Sequence, residues 1–247
     1  MNAESGPLEP PLRGVESLPG EGEVHVWRIS LSIDRAQLSA YECGLSEYER
    51  ERCGRLRYRA DADKFIASHG ALRTILAAYA GVRPGELEFS RSAFGKPSLI
   101  SMEEASAGIM FNMTDSGEIA LVAVSNGREV GVDIERMKTG EDLTAAALQC
   151  FCGAEMDLFR AAHPERQAEV FYTLWSRKEA YVKARGEGMS LVLRNIDVSA
   201  LPVTLDRRWT LADLTVDREY RGAVALDGKI RRVTYRAISM TGAAAPV

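Results

Sequence analysis

The spacing of hydrophobic and polar residues along the chain predicts helices and short strands. In the segment 61–79, Phe65, Leu72 and Leu76 fall on one helical face, and Gly81 ends the segment. Helices are predicted at 46–53, 61–79, 143–162 and 165–185. Strands, where apolar and β-branched residues concentrate, are predicted at 24–33, 87–89, 109–113, 119–124, 130–134, 209–216, 222–226 and 232–237.

Both halves of the chain share a plan of short strands and one long helix. Asn126 and Gly127 tolerate positive φ, so they predict a hairpin between the strands at 119–124 and 130–134. The pattern predicts an α+β protein of two similar α/β subdomains, each a small, mostly antiparallel sheet with a long helix. The expected division is a disordered N-terminal tail at 1–22, an N-terminal subdomain at 23–125 and a C-terminal subdomain at 126–247.

The composition is that of an ordinary soluble protein. Of the 247 residues, 46% are hydrophobic and 27% charged, and 31 Lys and Arg against 35 Asp and Glu give a net charge of -4. This balance argues against a protein that binds nucleic acid through its overall charge. No apolar run approaches the roughly 20 residues of a membrane span, and the first residues lack the features of a signal peptide. A cytoplasmic location is therefore expected.

Any metal site in this chain is expected to use oxygen ligands. Four cysteines and three histidines do not favour a disulfide scaffold or a thiolate or imidazole site. Asp133 and Glu135 lie two residues apart on a predicted strand, so they share one face of the sheet. Two carboxylates on one face repel unless a cation or a proton lies between them, which suits Mg²⁺. The alternative for this pair is a solvated outer face.

The helix at 165–185 carries charged residues beside an apolar face. Glu179 and Lys183 are neighbours on the helix surface, at the border of this face. Lys178 points into the middle of the same face. This pattern is typical either of a surface salt bridge or of the rim of a cleft.

Two other segments carry basic residues that favour an anion. In Phe94-Gly95-Lys96-Pro97, glycine permits the close approach of a flat group and lysine offers a partner for a phosphate, although a plain turn has the same composition. Arginines crowd the segment 50–59, but glutamates are interleaved with them. A solvated helical face is favoured over an anion site for most of those arginines.

Taken in order, four motifs resemble those of the 4′-phosphopantetheinyl transferases. They are FGKP at 94–97, FNMTDSG at 111–117, GVDIE at 131–135 and WSRKEAYVK at 175–183. The similarity spans roughly residues 45–190. It is to the large pseudo-dimeric type that serves polyketide, nonribosomal peptide and acyl carrier proteins. It implies a monomer with two α/β subdomains related by a pseudo-twofold, and coenzyme A in the cleft between them.

The resemblance also implies a reaction and a role for each residue. A serine of an apo carrier protein would attack the β-phosphorus of coenzyme A, and 3′,5′-ADP would leave. Asp133, Glu135 and Glu179 would hold Mg²⁺, with Glu179 also a candidate base for the serine. Lys183 would stabilise the pyrophosphate, as phosphoryl transfer requires neutralisation of charge. The nucleotide end would be lined by Arg52, Arg91, Gly95, Lys96, Pro97, Asn112, Thr114 and Asp115.

Two positions depart from the family's pattern. The family usually has a histidine facing the 3′-phosphate where this chain has Asp115, and many members have an arginine at His69. Both changes remove positive charge from one end of the ligand. An aspartate beside an anion costs about 1 kcal/mol or more if it is partly buried. We expect a transferase with weakened dependence on the 3′-phosphate, unless Arg52, Lys64 or Arg73 compensates.

Two other functions would use the same residues. One is a homologue that binds coenzyme A or a carrier protein but no longer transfers, and the intact acids argue against it. The other is a Mg²⁺-dependent nucleotide phosphohydrolase, although nothing in the sequence specifies a nucleophilic water. Carrier proteins are usually acidic around their serine, so a basic rim is expected on the transferase.

Overall fold

The computed structural model describes residues 17–100, 108–138, 140–187, 193–238 and 245–246. The helices are α1 (Arg35–Cys43), α2 (Glu47–Gly54), α3 (Arg59–Ala80), α4 (Thr144–Cys150), α5 (Gly153–Ala161) and α6 (Pro164–Arg185). The strands are β1 (Glu23–Ser30), β2 (Phe89–Arg91), β3 (Pro97–Leu99), β4 (Ile109–Ser116), β5 (Ile119–Asn126), β6 (Val130–Arg136), β7 (Thr204–Leu205), β8 (Trp209–Leu214), β9 (Tyr220–Asp227), β10 (Arg232–Ala237) and β11 (Ala245–Pro246).

The strands form two larger sheets and a separate hairpin. The first sheet has the order β11-β10-β1-β5-β4, in which β1 and β10 are parallel and the other pairs antiparallel. The second has the order β6-β9-β8-β7 and is antiparallel. Strands β2 and β3 pair with each other. The long helix α3 contacts the first sheet and α6 the second, which confirms the predicted α+β class with two subdomains.

Three apolar cores hold these layers together. The first lies between α3 and one face of the first sheet, and the second between α6 and one face of the second sheet. The third lies between the two sheets, where Val26 and Leu121 meet Val132 and Val224. Within β1 and within β5, successive residues belong to different cores, because successive side chains of a strand point to opposite faces of the sheet. The layers therefore follow the order α3, first sheet, second sheet, α6.

The predicted hairpin at Asn126-Gly127 is wrong. Gly127 does adopt the positive φ of 61° that a turn requires. However, β5 pairs with β4 and β1, whereas β6 pairs with β9, so the chain passes from the first sheet to the second at this turn. The hairpin forms between β4 and β5 instead, at Gly117, whose φ is also 61°. A turn residue permits a reversal but does not choose the partner strand.

The first and the last long strands of the described residues pair in the first sheet. Strand β10 lies beside β1, so the second part of the chain contributes to both sheets. Residues 17–22, part of the predicted disordered tail, have defined contacts: Leu18 packs against the first core and the Gly22 carbonyl accepts the Arg231 amide N–H at 2.8 Å. The rest of that predicted tail, 1–16, lies outside the described residues.

The long helices begin and end close to their predicted bounds. Both end at a glycine with left-handed backbone, Gly81 for α3 and Gly186 for α6, which closes the last turn without a Cβ clash. The predicted helix at 143–162 is instead two helices, α4 and α5. They are separated because Cys152 forms the N-terminal cap of α5, with its amide bound to Glu155 at 2.9 Å.

Candidate active site

Strand β6 and helix α6 approach each other so closely that no side chain fits between them at Gly131. A Cβ built on Gly131 would lie 2.1 Å from the Ala180 carbonyl oxygen and 2.3 Å from the Ala184 nitrogen. Glycine is therefore required at the start of the GVDIE segment. This contact brings the acidic residues of β6 beside the charged residues of α6.

Asp133 is a buried acid with one oxygen paired and the other free. Its side chain is 3% exposed, and Oδ1 accepts Lys183 Nζ at 2.6 Å and the Thr114 hydroxyl at 3.4 Å. Within the described part of the chain, Oδ2 is buried and has no hydrogen-bond partner. The alternative of a solvated outer face is thus excluded for this residue. A buried carboxylate oxygen without a partner is a position that can accept a cation.

Glu135 lies on the same face of β6, as its spacing from Asp133 predicts. Its Oε1 accepts the Trp175 indole N–H at 3.1 Å, and its Oε2 accepts the Ser116 hydroxyl at 3.2 Å. Burial, and after it the negative charge of Asp133, raises the pKa of Glu135 above its ordinary value. The two hydrogen bonds hold the carboxylate in place and leave lone pairs on both oxygens.

Glu179 supplies the third carboxylate, from helix α6. It is half-buried, and burial raises its pKa. The charge of Asp133 raises the pKa further, Lys183 opposes this, and Glu135 adds a smaller increase. Three carboxylates and one lysine therefore share one partly buried space between β6 and α6. The cleft-rim interpretation of the charged residues on α6 is the one that the structure supports.

These donors fit a hard divalent cation. Mg²⁺ prefers oxygen ligands and commonly uses a few carboxylates together with oxygens of its substrate and water. Asp133, Glu135 and Glu179 provide such carboxylates, and the partnerless Oδ2 of Asp133 gives one ligand position directly. A cation here would also offset the mutual repulsion that raises the pKa values of the two glutamates.

A row of polar side chains on β4 joins the two sheets at this site. Asn112 Oδ1 accepts the Val132 amide at 3.0 Å, Thr114 accepts Lys183 Nζ at 3.0 Å, and Ser116 accepts the Arg136 amide at 3.0 Å. The three residues alternate along β4, so they all face β6. Asn112 and Thr114, which were expected to line the nucleotide, also join β4 to β6, the strand of the candidate metal ligands. Ser116 was not among the predicted site residues, although Asn112, Thr114 and Ser116 alternate along FNMTDS and this spacing places all three on one face of the strand.

Comparison with known proteins decides the family. The family model described as "4'-phosphopantetheinyl transferase superfamily" matches residues 129–225, and the N-terminal 4'-phosphopantetheinyl transferase model matches residues 32–127. The transferase HetI of Nostoc sp. is 34% identical over 211 residues, which cover 83% of this chain and 88% of HetI. The chain belongs to the 4′-phosphopantetheinyl transferase superfamily.

Two further relatives of the transferase come from Bacillus subtilis and from human. The 4'-phosphopantetheinyl transferase Sfp of Bacillus subtilis is 29% identical over 154 residues, covering 62% of this chain and 66% of Sfp. The human L-aminoadipate-semialdehyde dehydrogenase-phosphopantetheinyl transferase is 25% identical over 204 residues, covering 72% of this chain and 65% of the relative. The resemblance inferred from the four motifs is confirmed.

The predicted nucleotide end of the transferase contains an aromatic and charged cluster. The Arg52 guanidinium lies over the Phe65 ring, 5.4 Å from its centre. The His69 ring also stacks on Phe65, with 3.8 Å between the ring centres. Burial is the main cause that lowers the pKa of His69, so the ring is neutral at pH 7. The charges of Arg52 and Asp115 both act on His69, and Asp115 itself is exposed.

Of the three cations that could compensate for Asp115, two are engaged with glutamates. Arg73 is 2% exposed and binds buried Glu49 at 2.6 Å. Lys64 binds Glu118 at 2.7 Å and the Gly117 carbonyl at 2.9 Å. Arg52 is therefore the remaining candidate.

The FGKP segment forms the loop of the β2–β3 hairpin. Gly95 has a φ of 84°, and its carbonyl accepts Arg91 Nη1 at 3.1 Å, while the Arg91 guanidinium lies 6.0 Å from the Tyr48 ring centre. Pro97 begins β3. Lys96 points toward the end of α6 instead of outward. Its ammonium is already bonded within the protein, which differs from the predicted phosphate contact.

Among the described residues, no helix is long and apolar enough to cross a membrane.

A further group of potential metal ligands consists of Cys152, Glu155 and Asp197, whose ligand atoms lie within 4.8 Å of one another. Glu155 is fully buried there, and its oxygens accept Lys178 Nζ at 2.7 Å and the Val198 amide at 2.8 Å. This glutamate therefore belongs to the packing of the second subdomain.

Proposed function

We propose that the transferase moves the 4′-phosphopantetheine group of coenzyme A to a serine of an apo carrier protein, with Mg²⁺, and releases 3′,5′-ADP. The observation that carries this proposal is the buried, partnerless Oδ2 of Asp133 beside Glu135, Glu179 and Lys183. Carboxylates and a lysine in one cleft are the groups that phosphoryl transfer requires, because it depends on positioning and on neutralisation of charge.

Each of these residues has a role that its surroundings favour. Asp133, Glu135 and Glu179 would hold Mg²⁺, which would neutralise charge on the pyrophosphate of coenzyme A. Glu179, a half-buried carboxylate beside Lys183, is the candidate to accept the proton of the serine hydroxyl. The serine oxygen then forms a bond to the β-phosphorus, and the bond to the oxygen of 3′,5′-ADP breaks. Lys183, whose side chain is 30% exposed, can turn from Asp133 to the departing oxygen.

The proposed partner is an acyl or peptidyl carrier protein. The transferase is proposed to act on it as a monomer, in the cytoplasm. A single chain supports a monomer because it supplies both walls of the site: Thr114 and Ser116 come from the first sheet, and Glu135 comes from the second. Sedimentation equilibrium tests this part of the proposal, and a stable dimer at micromolar concentration would contradict it.

The decisive experiment is intact-mass analysis of an apo carrier protein after incubation with the transferase, coenzyme A and Mg²⁺. We expect a gain of one phosphopantetheine group, and its loss in Glu179→Ala. Glu165→Ala is the matched control, because Glu165 lies on the same helix with an 89% exposed side chain. The control should transfer like the unaltered protein.

Two results would contradict the proposal and identify the alternatives. Binding of coenzyme A without any mass gain on acyl and peptidyl carriers would indicate a homologue that binds but does not transfer. Release of 3′,5′-ADP in the absence of a carrier, at the rate seen with one, would indicate a phosphohydrolase.

A further inference from the structure

We infer that Lys96 is a positioning residue that fixes the end of helix α6 against the start of strand β6, and that it does not contact a phosphate of coenzyme A. The inference rests on the proposed function, since β6 and α6 carry the groups proposed to act. The inference assigns a structural role to Lys96, the lysine of the FGKP segment.

The ammonium of Lys96 has an acceptor for each of its three protons. Nζ donates to Glu129 Oε2 at 2.6 Å, to the Ala184 carbonyl at 2.8 Å and to the Val130 carbonyl at 3.2 Å. The side chain is 16% exposed. An ammonium with this set of partners has no proton left for a ligand.

These acceptors lie at the contact between β6 and α6. Val130 directly precedes Gly131. Ala184 lies opposite Gly131 on α6, and its nitrogen would be 2.3 Å from a Cβ added to that glycine. Ala184 belongs to the last turn of α6, where carbonyls lack a partner within the helix and attract a cation. The stem of Lys96 packs on Gly186, where an added Cβ would lie 3.1 Å from Lys96 Cδ. Lys96 therefore stabilises the close approach on which the site depends.

Glu129 distinguishes this role from a phosphate contact. If Lys96 bound a phosphate, the Glu129 carboxylate beside it would repel that phosphate, and its neutralisation would strengthen the binding of coenzyme A. If Lys96 is a positioning residue, Glu129 is part of the same arrangement, and its neutralisation would weaken the site. The two roles thus predict opposite effects for one substitution.

The test compares Lys96→Met, Lys96→Arg, Glu129→Gln and the double variant of Lys96→Met with Glu129→Gln. Lys229→Met, at an exposed lysine of the β9–β10 loop, is the matched control. Each protein is assayed for kcat and for KM of coenzyme A. Calorimetry measures its Kd for coenzyme A, and electron paramagnetic resonance measures its Kd for Mn²⁺ without any substrate.

We expect Lys96→Met to lower kcat about ten-fold or more, since misplacement of reacting groups costs rate rather than binding. Mn²⁺ binding should weaken in parallel, while the Kd for coenzyme A stays within about two-fold, as for an energetically neutral contact. Lys96→Arg should restore part of kcat. Glu129→Gln should change kcat and Mn²⁺ binding in the same direction, and the double variant should resemble Lys96→Met because the two residues act together.

The inference is overturned if Lys96→Met weakens coenzyme A binding about ten-fold, a loss of about 1.4 kcal/mol, with kcat and Mn²⁺ binding unchanged. Tighter binding of coenzyme A by Glu129→Gln would overturn it as well. Failure of the unaltered protein to modify any carrier would refute the proposed function instead. In that case the two binding measurements still decide the role of Lys96.

Discussion

The long helices α3 and α6 hold a buried cation in the same way, and only α6 carries residues of the candidate active site. Each has 22 residues, and Arg73 and Lys178 occupy the same position counted from the first residue of their helix. Each cation binds the glutamate of a capping box on an earlier helix. Arg73 binds Glu49 at 2.6 Å, and Lys178 binds Glu155 at 2.7 Å.

Both cations also bind the loop that follows their own helix. The carbonyl acceptors are those of Pro84 and Leu87 for Arg73, and those of Leu193 and Ile196 for Lys178. Each cation therefore joins three segments: its own helix, an earlier helix and the next loop. Removal of either cation would leave a buried glutamate without its counter-charge, so we expect both halves of the fold to depend on such a pair.

The two helices differ at the positions just after the cation. On α6 these are Glu179 and Lys183, which face β6, whereas the equivalent positions on α3 are Thr74 and Ala78. Thr74 donates its hydroxyl to the carbonyl of Gly70 at 2.8 Å, within its own helix. The comparison distinguishes two kinds of charged residue within the motif at 175–183: Lys178, which is buried and fully paired, and Glu179 and Lys183, which are partly exposed. Burial with a complete set of partners indicates stability, and partial exposure beside an acid with a free oxygen indicates function.

The largest expected effect is on stability. Lys178→Met should lower the free energy of unfolding by about 3–5 kcal/mol, because it leaves Glu155 buried without its cation. Arg73→Met should have a similar effect through Glu49, and urea denaturation measures both. A stability near that of the unaltered protein, with a large fall in kcat, would instead make Lys178 part of the active site.

A second variant separates the lost charge pair from lost packing. Lys178→Met combined with Glu155→Gln keeps the acceptor for the Val198 amide and removes the uncompensated charge. We expect this double variant to be more stable than Lys178→Met alone.

Lys183→Met should have the opposite profile. Loss of a charge that stabilises the transition state costs about 10²–10³-fold in kcat. The free energy of unfolding with Mg²⁺ present should change by less than about 1 kcal/mol, since the side chain is partly exposed and a cation can compensate Asp133. Single-turnover transfer to a carrier and urea denaturation check the two parts. An unchanged transfer rate would remove Lys183 from the proposed mechanism.

The placement of the candidate metal-site residues within each element was predictable because local periodicity determines it, whereas their grouping as one set of ligands came from the family resemblance. Spacing of two on a strand places Asp133 and Glu135 on one face, and helical spacing places Glu179 beside Lys183. The same rules placed Lys178 in the apolar face of α6, where it is fully buried. Gly81 and Gly186 marked the ends of the long helices for an equally local reason.

The partners of these residues were not predictable from spacing. Arg73 was considered for the 3′-phosphate and Lys96 for a phosphate, yet each is bonded to a glutamate distant in sequence. Asn126-Gly127 gave the turn but not the sheet that the next strand joins. Such contacts depend on how the layers pack, and a single sequence shows only which residues are able to make them.

A smaller effect is expected on stability at acid pH, through the buried His25 of β1. His25 is 3% exposed, and its Nδ1 is hydrogen-bonded to the Tyr79 hydroxyl oxygen at 2.6 Å. Burial, and after it the charge of Arg236, lowers the pKa of His25 from 6.5 to about 4. A histidine with a lowered pKa stabilises the fold above the pKa of the unfolded state, so this contribution is present above pH 6.5 and lost as the pH falls toward 4.

We expect the free energy of unfolding to fall by on the order of 2 kcal/mol across that range through His25 alone. His25→Gln should flatten this part of the profile in urea denaturation at a series of pH values. An identical pH dependence in the variant and the unaltered protein would contradict the prediction.

The smallest expected effect is on the preference for coenzyme A over its 3′-dephospho form, and it depends on Asp115 at the predicted nucleotide end. Asp115 lies on the opposite face of β4 from Thr114, and it is exposed, so water screens its repulsion of a 3′-phosphate. We expect kcat/KM to be similar for coenzyme A and its 3′-dephospho form, and Asp115→His to shift the ratio toward coenzyme A by about ten-fold, or about 1.4 kcal/mol. A strong preference for coenzyme A in the unaltered protein would contradict this. Since Arg73 and Lys64 are engaged with Glu49 and Glu118, that result would assign the phosphate to Arg52, and Arg52→Met should then abolish the preference.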